Sequence, residues 1–412
     1  MNYTEAVNFI HSIPKFRRPL GNEKLAKLLD HLGNPHKKLR FIHIAGTNGK
    51  GSTSAMTAEI LIQSGYRTGL FTSPFLEIFN DRIRIDGSFI SDDDIASYTL
   101  RVKTAMEEND AYVSEFAFVT AMALLYFYER QCDFVVLEVG MGGALDATNI
   151  IETSIVSVIC KIGLDHTQYL GDTIEKIALE KCGIIRENGI VISHPNETVR
   201  DIIQSRSADK HASLTFAENA TITNSGFIYK GKQYKLSLKG TYQPQNAAVA
   251  LEIISAMRKL GIKIPEKAVT DGLSLVKWGA RFEFVTDNII IDGAHNIDGI
   301  RALKHSLLSL NRDIILITAM MEDKDYNSCI REIAPIAKAV IATELDIPRC
   351  VKAEKIAAII SSINISVTVN TNPEQALYNA LHAAESGTYG KNTVICVCGS
   401  LFLAGETRKF FS

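Results

Sequence analysis

The sequence predicts an α/β protein in which a large N-terminal domain, built on a mostly parallel sheet covered by helices, precedes a smaller α/β domain. Short apolar runs alternate with longer helical patterns along most of the chain. Continuous apolar strands separated by helices are typical of a parallel sheet that is buried on both faces. The alternation stops at residues 213–239 and restarts near residue 286. We therefore expect one domain over residues 1–285 and a second over residues 286–412.

The first domain combines strand-length apolar runs with helical patterns between them. The predicted strands are residues 41–45, 134–139, 155–159 and 189–193, and the predicted helices are residues 52–64, 114–129 and 173–185. Short segments at 221–223, 227–229 and 233–238 are separated by Asn-Ser-Gly and Lys-Gly-Lys, which predicts a small antiparallel ribbon. A helix over residues 245–260 follows the ribbon.

The second domain shows the same alternation. Its predicted strands are residues 288–292, 314–318, 339–342, 366–369 and 393–397, with helices between them. No internal repeat or low-complexity segment interrupts either domain. The chain therefore consists of two unequal α/β units.

Composition excludes several classes of protein. The chain has 412 residues with 44 basic and 46 acidic side chains, a formal net charge of −2, and 46% hydrophobic residues. These values exclude a disordered or collagen-like chain and argue against a general binder of nucleic acid. The seven cysteines are scattered without a Cys-x-x-Cys pair, so neither a disulfide framework nor a zinc site is indicated. Without a secretory pattern or an apolar run of membrane-spanning length, we expect a cytoplasmic protein with no membrane contact. We separately expect a monomer.

The sharpest local signal is a glycine-rich turn between a predicted strand and a predicted helix, Gly46-Thr47-Asn48-Gly49-Lys50-Gly51-Ser52. Glycines let backbone N–H groups converge on phosphate oxygens, and the start of a helix adds positive potential. Lys50 is placed to reach the terminal phosphates of a nucleotide, and Ser52 to ligate Mg²⁺. Because Gly51 separates the lysine from the serine, the usual phosphate-loop pattern is not matched. The alternative interpretation is a tight turn that carries a surface lysine.

This variant loop resembles that of the Mur ligase superfamily, and more narrowly that of the folylpolyglutamate synthase/dihydrofolate synthase family. Further motifs, in order, extend the resemblance over nearly the whole chain: Thr72-Ser73-Pro74, Asn80-Asp81-Arg82-Ile83, Leu137-Glu138-Val139-Gly140, Asp146-Ala147-Thr148-Asn149, Leu164-Asp165-His166, Glu180-Lys181-Cys182-Gly183, Arg281-Phe282-Glu283, Asp292-Gly293-Ala294-His295-Asn296 and Asp323-Lys324-Asp325. Each motif is weak alone, but their order and spacing together are specific. The resemblance implies a P-loop-type N-terminal domain and a Rossmann-like C-terminal domain.

The resemblance also implies an activity, an ATP-dependent amide ligase that adds L-glutamate to a carboxylate. The acceptor is either a reduced folate or dihydropteroate, and the carboxylate is first activated as an acyl phosphate. Lys50, Lys181 and His166 are then the expected catalytic residues. The ATP site is expected to comprise Gly46, Thr47, Asn48, Gly49, Lys50, Gly51 and Ser52, with Gln243, Asn246, Arg281, Asp292 and His295.

Metal binding is suggested first by Glu138, which ends an apolar strand just before a glycine-rich turn. A carboxylate at the C-terminal end of a parallel strand faces the crevice where α/β ligands bind, although a solvated strand-end acid is the plainer interpretation. Phosphoryl transfer needs Mg²⁺ held by hard oxygen ligands. The resemblance implies two Mg²⁺ sites formed by Ser52, Ser73, Glu138 and His166.

Lys181 would ordinarily be interpreted as an exposed helical lysine. The resemblance implies that it is carbamylated by CO₂, which turns a cation into an anion that orders the metal site. Carbamylation requires a neutral amine, which desolvation or nearby cations favour.

Substrate contacts and competing functions complete the expectations. Asn80, Arg82 and Asp146 are candidate contacts to the acceptor, and Gln243 and Asn246 also suit helix capping.

One alternative function is another Mur-type ligase acting on a UDP-muramyl precursor. We expect such an enzyme to carry an extra N-terminal domain, for which the position of the phosphate loop leaves no room. A second alternative is a non-catalytic relative that binds nucleotide or folate, in which loss of Lys50, Glu138, His166 or Lys181 would be expected.

Overall fold

The computed structural model describes residues 1–15, 21–390 and 392–411, which form two compact units. Unit 1 comprises Met1–Gly163, Thr167–Ser237 and Pro244–Val276, and unit 2 comprises Leu164–His166, Leu238–Gln243 and Lys277–Ser412. The α/β fold class is confirmed. The main division between the units lies after Val276, nine residues before the expected boundary at 285/286. The strand at Glu283–Thr286, which spans that boundary, pairs with the sheet of unit 2.

Unit 1 is built on an eight-stranded sheet in the order β4-β3-β2-β5-β1-β6-β7-β8. Its strands are β1 (Phe41–Ala45), β2 (Thr68–Phe71), β3 (Ile83–Ile85), β4 (Ser88–Phe89), β5 (Phe134–Glu138), β6 (Val156–Ile159), β7 (Ile190–Ser193) and β8 (Ser213–Phe216). All neighbours pair in parallel except at the β3 and β4 edge. A separate antiparallel ribbon consists of β9 (Thr221–Thr223), β10 (Gly226–Tyr229) and β11 (Lys232–Tyr234).

The edge strand β8 was not predicted. Its residues were assigned to the segment that interrupts the alternation, but they pair in parallel with β7 and extend the sheet. None of its four residues is fully buried, so β8 lacks the continuous apolar run by which central strands are identified. The ribbon expected after it is confirmed, with a third strand that ends earlier than predicted.

Helices cover the sheet of unit 1 on both faces. They are α1 (Tyr3–Ser12), α2 (Glu23–His31), α3 (Lys50–Gln63), α4 (Asp92–Glu108), α5 (Glu115–Glu129), α6 (Thr167–Leu170), α7 (Ile174–Cys182), α8 (Arg200–Asp209), α9 (Gln243–Lys259) and α10 (Glu266–Leu275). One apolar core includes the aromatic side chains of α5 and the sheet, and another lies between α7, α8 and the sheet. Gly272 of α10 packs so closely on α3 that a Cβ there would lie 2.8 Å from the Cα of Ile60.

Unit 2 is a smaller sheet in the order β12-β13-β17-β14-β15-β16. Its strands are β12 (Glu283–Thr286), β13 (Ile289–Ile291), β14 (Asp313–Thr318), β15 (Ala339–Ala342), β16 (Val367–Val369) and β17 (Thr393–Cys398), all parallel except for the β12–β13 pair. Its helices are α11 (Ile297–Leu308), α12 (Tyr326–Ile333), α13 (Ala353–Ser361), α14 (Pro373–Glu385) and α15 (Leu401–Arg408). In the described part of the chain, no helix has the length and apolar character needed to cross a bilayer.

Candidate active site

Polar residues gather at the carboxyl edge of the unit 1 sheet, where four parallel strands end together. β1 pairs in parallel with β5 and β6, with Ile44 opposite both Glu138 and Val158. Glu138 is the last residue of β5, and the glycine-rich loop leaves the end of β1. β2 pairs with β5 on the other side, and Ser73 lies two positions beyond its end, partly exposed. The register therefore brings the loop, Glu138 and Ser73 to one edge.

The conformation of the loop requires glycine at two positions. Gly46 has φ +156° and Gly49 has φ +87°. A Cβ on Gly46 would lie 2.6 Å from the Cβ of Cys160, and a Cβ on Gly49 would lie 2.4 Å from Oδ1 of Asn246. Glycine adopts such angles without steric cost and permits the close approach. The predicted residue Asn246, near the start of α9, thus lies directly against the loop.

Two backbone amides of the loop already have partners. The N–H groups of Thr47 and Asn48 donate to the carbonyl oxygen of Lys161 at 2.8 and 3.1 Å. The N–H groups of the first turn of α3, which begins at Lys50, have no intrahelical acceptor. Anion binding by backbone groups is therefore expected mainly at the start of α3, which includes Gly51 and Ser52.

Lys50, Ser52 and Glu138 are enclosed beside this turn. Nζ of Lys50 lies 3.8 Å from Oε1 of Glu138, and the two side chains are 16% and 5% exposed. Ser52 is also buried. A carboxylate and a hydroxyl are hard oxygen donors of the kind that Mg²⁺ prefers. The residues present thus fit a Mg²⁺ ion, which Glu138 and Ser52 would help to hold.

Lys181 is buried, contrary to the ordinary interpretation of a helical lysine. It lies in the last turn of α7 with 4% of its surface exposed, and Nζ donates to the carbonyl oxygen of Gly46 at 2.9 Å. Gly143 allows the approach of α7, since a Cβ there would lie 2.9 Å from the Cα of Lys181. The lysine therefore contacts the backbone of the glycine-rich loop.

The metal ligands do not form a preformed protein cage. Among the residues that the structure describes, no group of three or more His, Cys, Asp or Glu side chains could hold a metal ion. His166 is assigned to unit 2, where it adopts φ +51° and donates its backbone N–H to Oδ1 of Asp165. The predicted metal roles of His166 and Ser73 stay predictions.

Asp165 is the centre of a charged cluster in unit 2 that the sequence did not single out. Its carboxylate accepts from Nζ of Lys324 and from Nδ2 of Asn296, and it lies 3.5 Å from Nε2 of His295. Burial alone would raise the pKa of Asp165. The hydrogen bond and charge of His295, together with Lys324 and His166, outweigh burial and hold that pKa well below its usual range. Sequence spacing could not reveal this cluster, because its members come from three separate motifs.

Arg281 lies on a strained segment of unit 2 that Asp292 organises. Ala280 and Phe282, on either side of it, have φ values of +53° and +52°, which are uncommon for residues with a side chain. Asp292 is buried and accepts from the N–H of Phe282, the N–H of Ala294 and the hydroxyl of Tyr242, each at 2.8 Å. Burial, and then Asp292, raises the pKa of Tyr242 well above its usual value, so this hydroxyl remains a donor.

The remaining predicted residues are mostly engaged within their own units. Asp146 accepts at both carboxylate oxygens from its own loop, from Met141 and Thr148. Nδ2 of Asn80 donates to the carbonyl of Ile90 and to Asp92, which leaves its buried Oδ1 without a partner among the described residues. These contacts favour a structural role for Asp146.

Two further predicted side chains are enclosed. Arg82 is buried, with its guanidinium 5.3 and 5.5 Å from the ring centroids of Phe75 and Phe79. Gln243 is completely buried at the start of α9.

Comparison with known proteins shows the family of the chain. Residues 44–254 match the Mur ligase middle domain, and residues 280–401 match the Mur ligase glutamate ligase domain. The dihydrofolate synthase/folylpolyglutamate synthase of Bacillus subtilis is 33% identical over 431 residues, covering 99% of this chain and 98% of that protein. This chain belongs to the folylpolyglutamate synthase/dihydrofolate synthase family of Mur ligases. The resemblance inferred from the sequence motifs is confirmed, and the protein is a ligase that forms carbon–nitrogen bonds.

Solved structures of this ligase family share the whole fold. Escherichia coli FolC in complex with DHPP and ADP has a TM-score of 0.89 and 27% identity, covering 100% of this chain and 97% of that chain. The bifunctional enzyme of Yersinia pestis, complexed with AMPPNP and Mn ion, has a TM-score of 0.88 and 26% identity, covering 100% and 98%.

The Asp165 cluster generates the first prediction. The side chains of Asp165 and Lys324 are 8% and 10% exposed, so Asp165→Asn would leave the enclosed ammonium of Lys324 without its counter-charge. We expect the free energy of unfolding, measured by urea titration, to fall by about 3 kcal/mol.

The control for this prediction is Asp172→Asn. Asp172 pairs with Lys176 at 2.8 Å, but its side chain is 78% exposed, so little change is expected. Equal effects of the two substitutions would contradict a special role for the buried cluster.

Proposed function

We propose that this protein is an ATP-dependent ligase that adds L-glutamate to the carboxylate of a folate, with dihydropteroate as a second acceptor. The arrangement of Lys50, Ser52, Glu138 and Lys181 around one glycine-rich loop carries the proposal. It is supported by a full-length relative whose name includes both activities. No observation favours a UDP-muramyl substrate or a non-catalytic relative.

The reaction begins with transfer of the γ-phosphoryl group of ATP. A carboxylate oxygen of the acceptor forms a bond to the γ-phosphorus while the bond to the β-phosphate oxygen breaks, which gives an acyl phosphate and ADP. The N–H groups at the start of α3 and the ammonium of Lys50 stabilise the charge that develops on the transferring group. Because these groups lie in an enclosed site, their electrostatic effect is stronger than it would be in water.

Glutamate then completes the amide. Its neutral amine attacks the acyl carbon, and the tetrahedral intermediate expels inorganic phosphate and loses the amine proton. When Mg²⁺ is bound, it neutralises phosphate charge during the transfer. Glu138 and Ser52 are the residues of unit 1 that would hold it. The roles predicted for Gln243, Arg281, Asp292 and His295 at the nucleotide stay predictions.

Lys181 suits the carbamylation that the family resemblance implied. In that reaction the neutral amine and CO₂ give a carbamate anion and release one proton. The carbamate nitrogen keeps one N–H, so the present bond from Nζ to the carbonyl of Gly46 can persist. The burial of Lys181 beside the loop places it where a carbamate would act on the proposed nucleotide site.

The function is tested by a phosphate-release assay with ATP, Mg²⁺ and L-glutamate. Release is expected to depend on glutamate and on an added acceptor, either tetrahydrofolate or dihydropteroate, and the two acceptors are assayed separately. Absence of release with both, alongside activity on a UDP-muramyl substrate, would overturn the proposal.

The glycine-rich loop is tested by Gly49→Ala. The new methyl group would displace Asn246 from the loop, and φ +87° disfavours alanine. We expect ADP affinity, measured by calorimetric titration, to fall by about tenfold or more.

Gly65→Ala is the matched control for this substitution. Gly65 has φ +84° but no atom within 4 Å of the added Cβ. It therefore adds comparable backbone strain without a clash and should leave ADP affinity unchanged. Equal losses of affinity would show that backbone strain alone is responsible.

Carbamylation is tested with ¹³C-labelled bicarbonate. We expect a carbamate signal in the wild-type protein, no such signal in Lys181→Ala, and at least about a hundredfold loss of activity in that variant. Lys176→Ala on the exposed face of the same helix is the control and should retain both signal and activity. Full activity of Lys181→Ala, or no carbamate in the wild type, would refute the modification.

A further inference from the structure

A buried asparagine beyond β7, Asn196, forms hydrogen bonds to residues 160–162, the segment that contacts the glycine-rich loop. Asn196 follows β7 at the carboxyl edge of the sheet and is 8% exposed. Its Nδ2 donates to the carbonyl of Cys160 at 3.0 Å, and its Oδ1 accepts from the N–H of Ile162 at 2.9 Å. One side chain thus holds the backbone on both sides of Lys161.

Lys161 transmits this constraint to the loop. Its carbonyl oxygen accepts from the N–H groups of Thr47 and Asn48, and an isolated antiparallel bridge joins Asn48 to Lys161. The hydroxyl of Thr47 also donates to the carbonyl of Gly163 at 2.9 Å and accepts from its N–H at 3.1 Å. The bonds to Lys161 join the loop to the segment that Asn196 holds, and the bonds to Gly163 join it to the residue that follows this segment.

Close packing leaves little room for independent movement. A Cβ on Gly46 would lie 3.2 Å from the Cα of Cys160, so the two backbones are already near contact. A displacement of Cys160 must therefore be taken up by the loop or by the strand before it. The loop leads directly into Lys50 and the first turn of α3.

The backbone of Asn196 is suited to this task. Its φ of +45° is left-handed, a conformation in which asparagine is enriched. Its N–H lies 3.3 Å from Nδ1 of His194, and burial, followed by the charge of Lys161, lowers the pKa of His194 to about 4. A neutral imidazole can accept this bond near neutral pH.

The chemistry of the side chain is equally specific. An asparagine amide places N–H donors and a carbonyl acceptor in one plane, and Nδ2 of Asn196 also donates to Oγ of Ser193 at 3.3 Å. Aspartate would offer no donor and would place a negative charge against the carbonyl of Cys160. Glycine would keep the left-handed backbone and remove all of these side-chain bonds.

We propose that Asn196 is a positioning residue for nucleotide binding: it fixes residues 160–162 and thereby the loop and the N–H groups that receive the phosphates of ATP. This inference rests on the proposed function, since it concerns the same nucleotide site. Asn196 does not itself touch the nucleotide in this proposal. It acts through Lys161, Thr47 and Asn48.

The test uses Asn196→Gly and Asn196→Asp with Asn188→Gly and Asn188→Asp as matched controls. Asn188 also adopts a left-handed conformation, with φ +53°, but it is exposed. Mg²⁺·ADP affinity is measured by calorimetric titration, steady-state kinetics give kcat and the KM of each substrate, and thermal unfolding gives Tm. Both Asn196 variants are expected to bind ADP about tenfold more weakly and to show an about tenfold higher KM for ATP, with KM for glutamate and for the acceptor unchanged.

The outcomes separate the inference from the proposed function. ADP binding by the Asn196 variants within twofold of their controls, with a normal wild type, would overturn the inference alone. A lower Tm and kcat with unchanged KM for ATP would also overturn it, because that pattern marks a purely structural residue. A wild-type protein that does not bind ADP would overturn the proposed function itself. Asn196→Gly decides the question if the aspartate variant does not fold.

Discussion

The parallel register of β1 with β5 and β6 is the constraint on which the candidate active site of unit 1 depends. It aligns the ends of strands that are about a hundred residues apart in the chain and places the glycine-rich loop, Glu138 and Lys161 at one edge. The register is strongly specified because residues of all three strands are buried. A slip of one residue would turn every side chain of a strand to the opposite face of the sheet.

Hydrogen bonds to its backbone groups then hold the loop. The carbonyl of Gly46 accepts from Lys181, and the amides of Thr47 and Asn48 donate to the carbonyl of Lys161. Because breaking such bonds costs free energy, each of them opposes other conformations of the loop. The start of α3 is the part that we propose for phosphate binding. The glycines are required for close approach to neighbouring atoms as much as for flexibility.

The sequence predicted those features that are local. The loop, the helix after it and the strands β1, β5, β6 and β7 follow from glycine spacing and continuous apolar runs, which depend on neighbouring residues only. The buried strand β2 was not predicted. β8 was missed because an edge strand is half solvated and lacks such a run.

The burial of Lys181 could not be predicted from the sequence, since a lysine in a helix is usually solvated. Asp165 and Asn196 were missed as functional candidates because their importance lies in partners that are distant in sequence. Asp146 was a candidate contact to the acceptor substrate, but its carboxylate accepts hydrogen bonds from Met141 and Thr148 of its own loop. The sequence does not show these bonds, although the three residues are close together in it.

The near-neutral composition is consistent with how charge is arranged at the loop. Lys50 and Glu138 lie 3.8 Å apart, beyond the length of a hydrogen bond, in a site that excludes most solvent. At that distance each charge offsets part of the desolvation cost of the other. A cation for phosphate and a carboxylate for metal can therefore coexist before either ligand arrives, and the chain needs no broad basic surface to attract a small anion. Lys181 also contributes charge next to the loop. If carbamylation changed that charge from positive to negative, the electrostatic potential at the loop would change directly, because Lys181 contacts the carbonyl of Gly46.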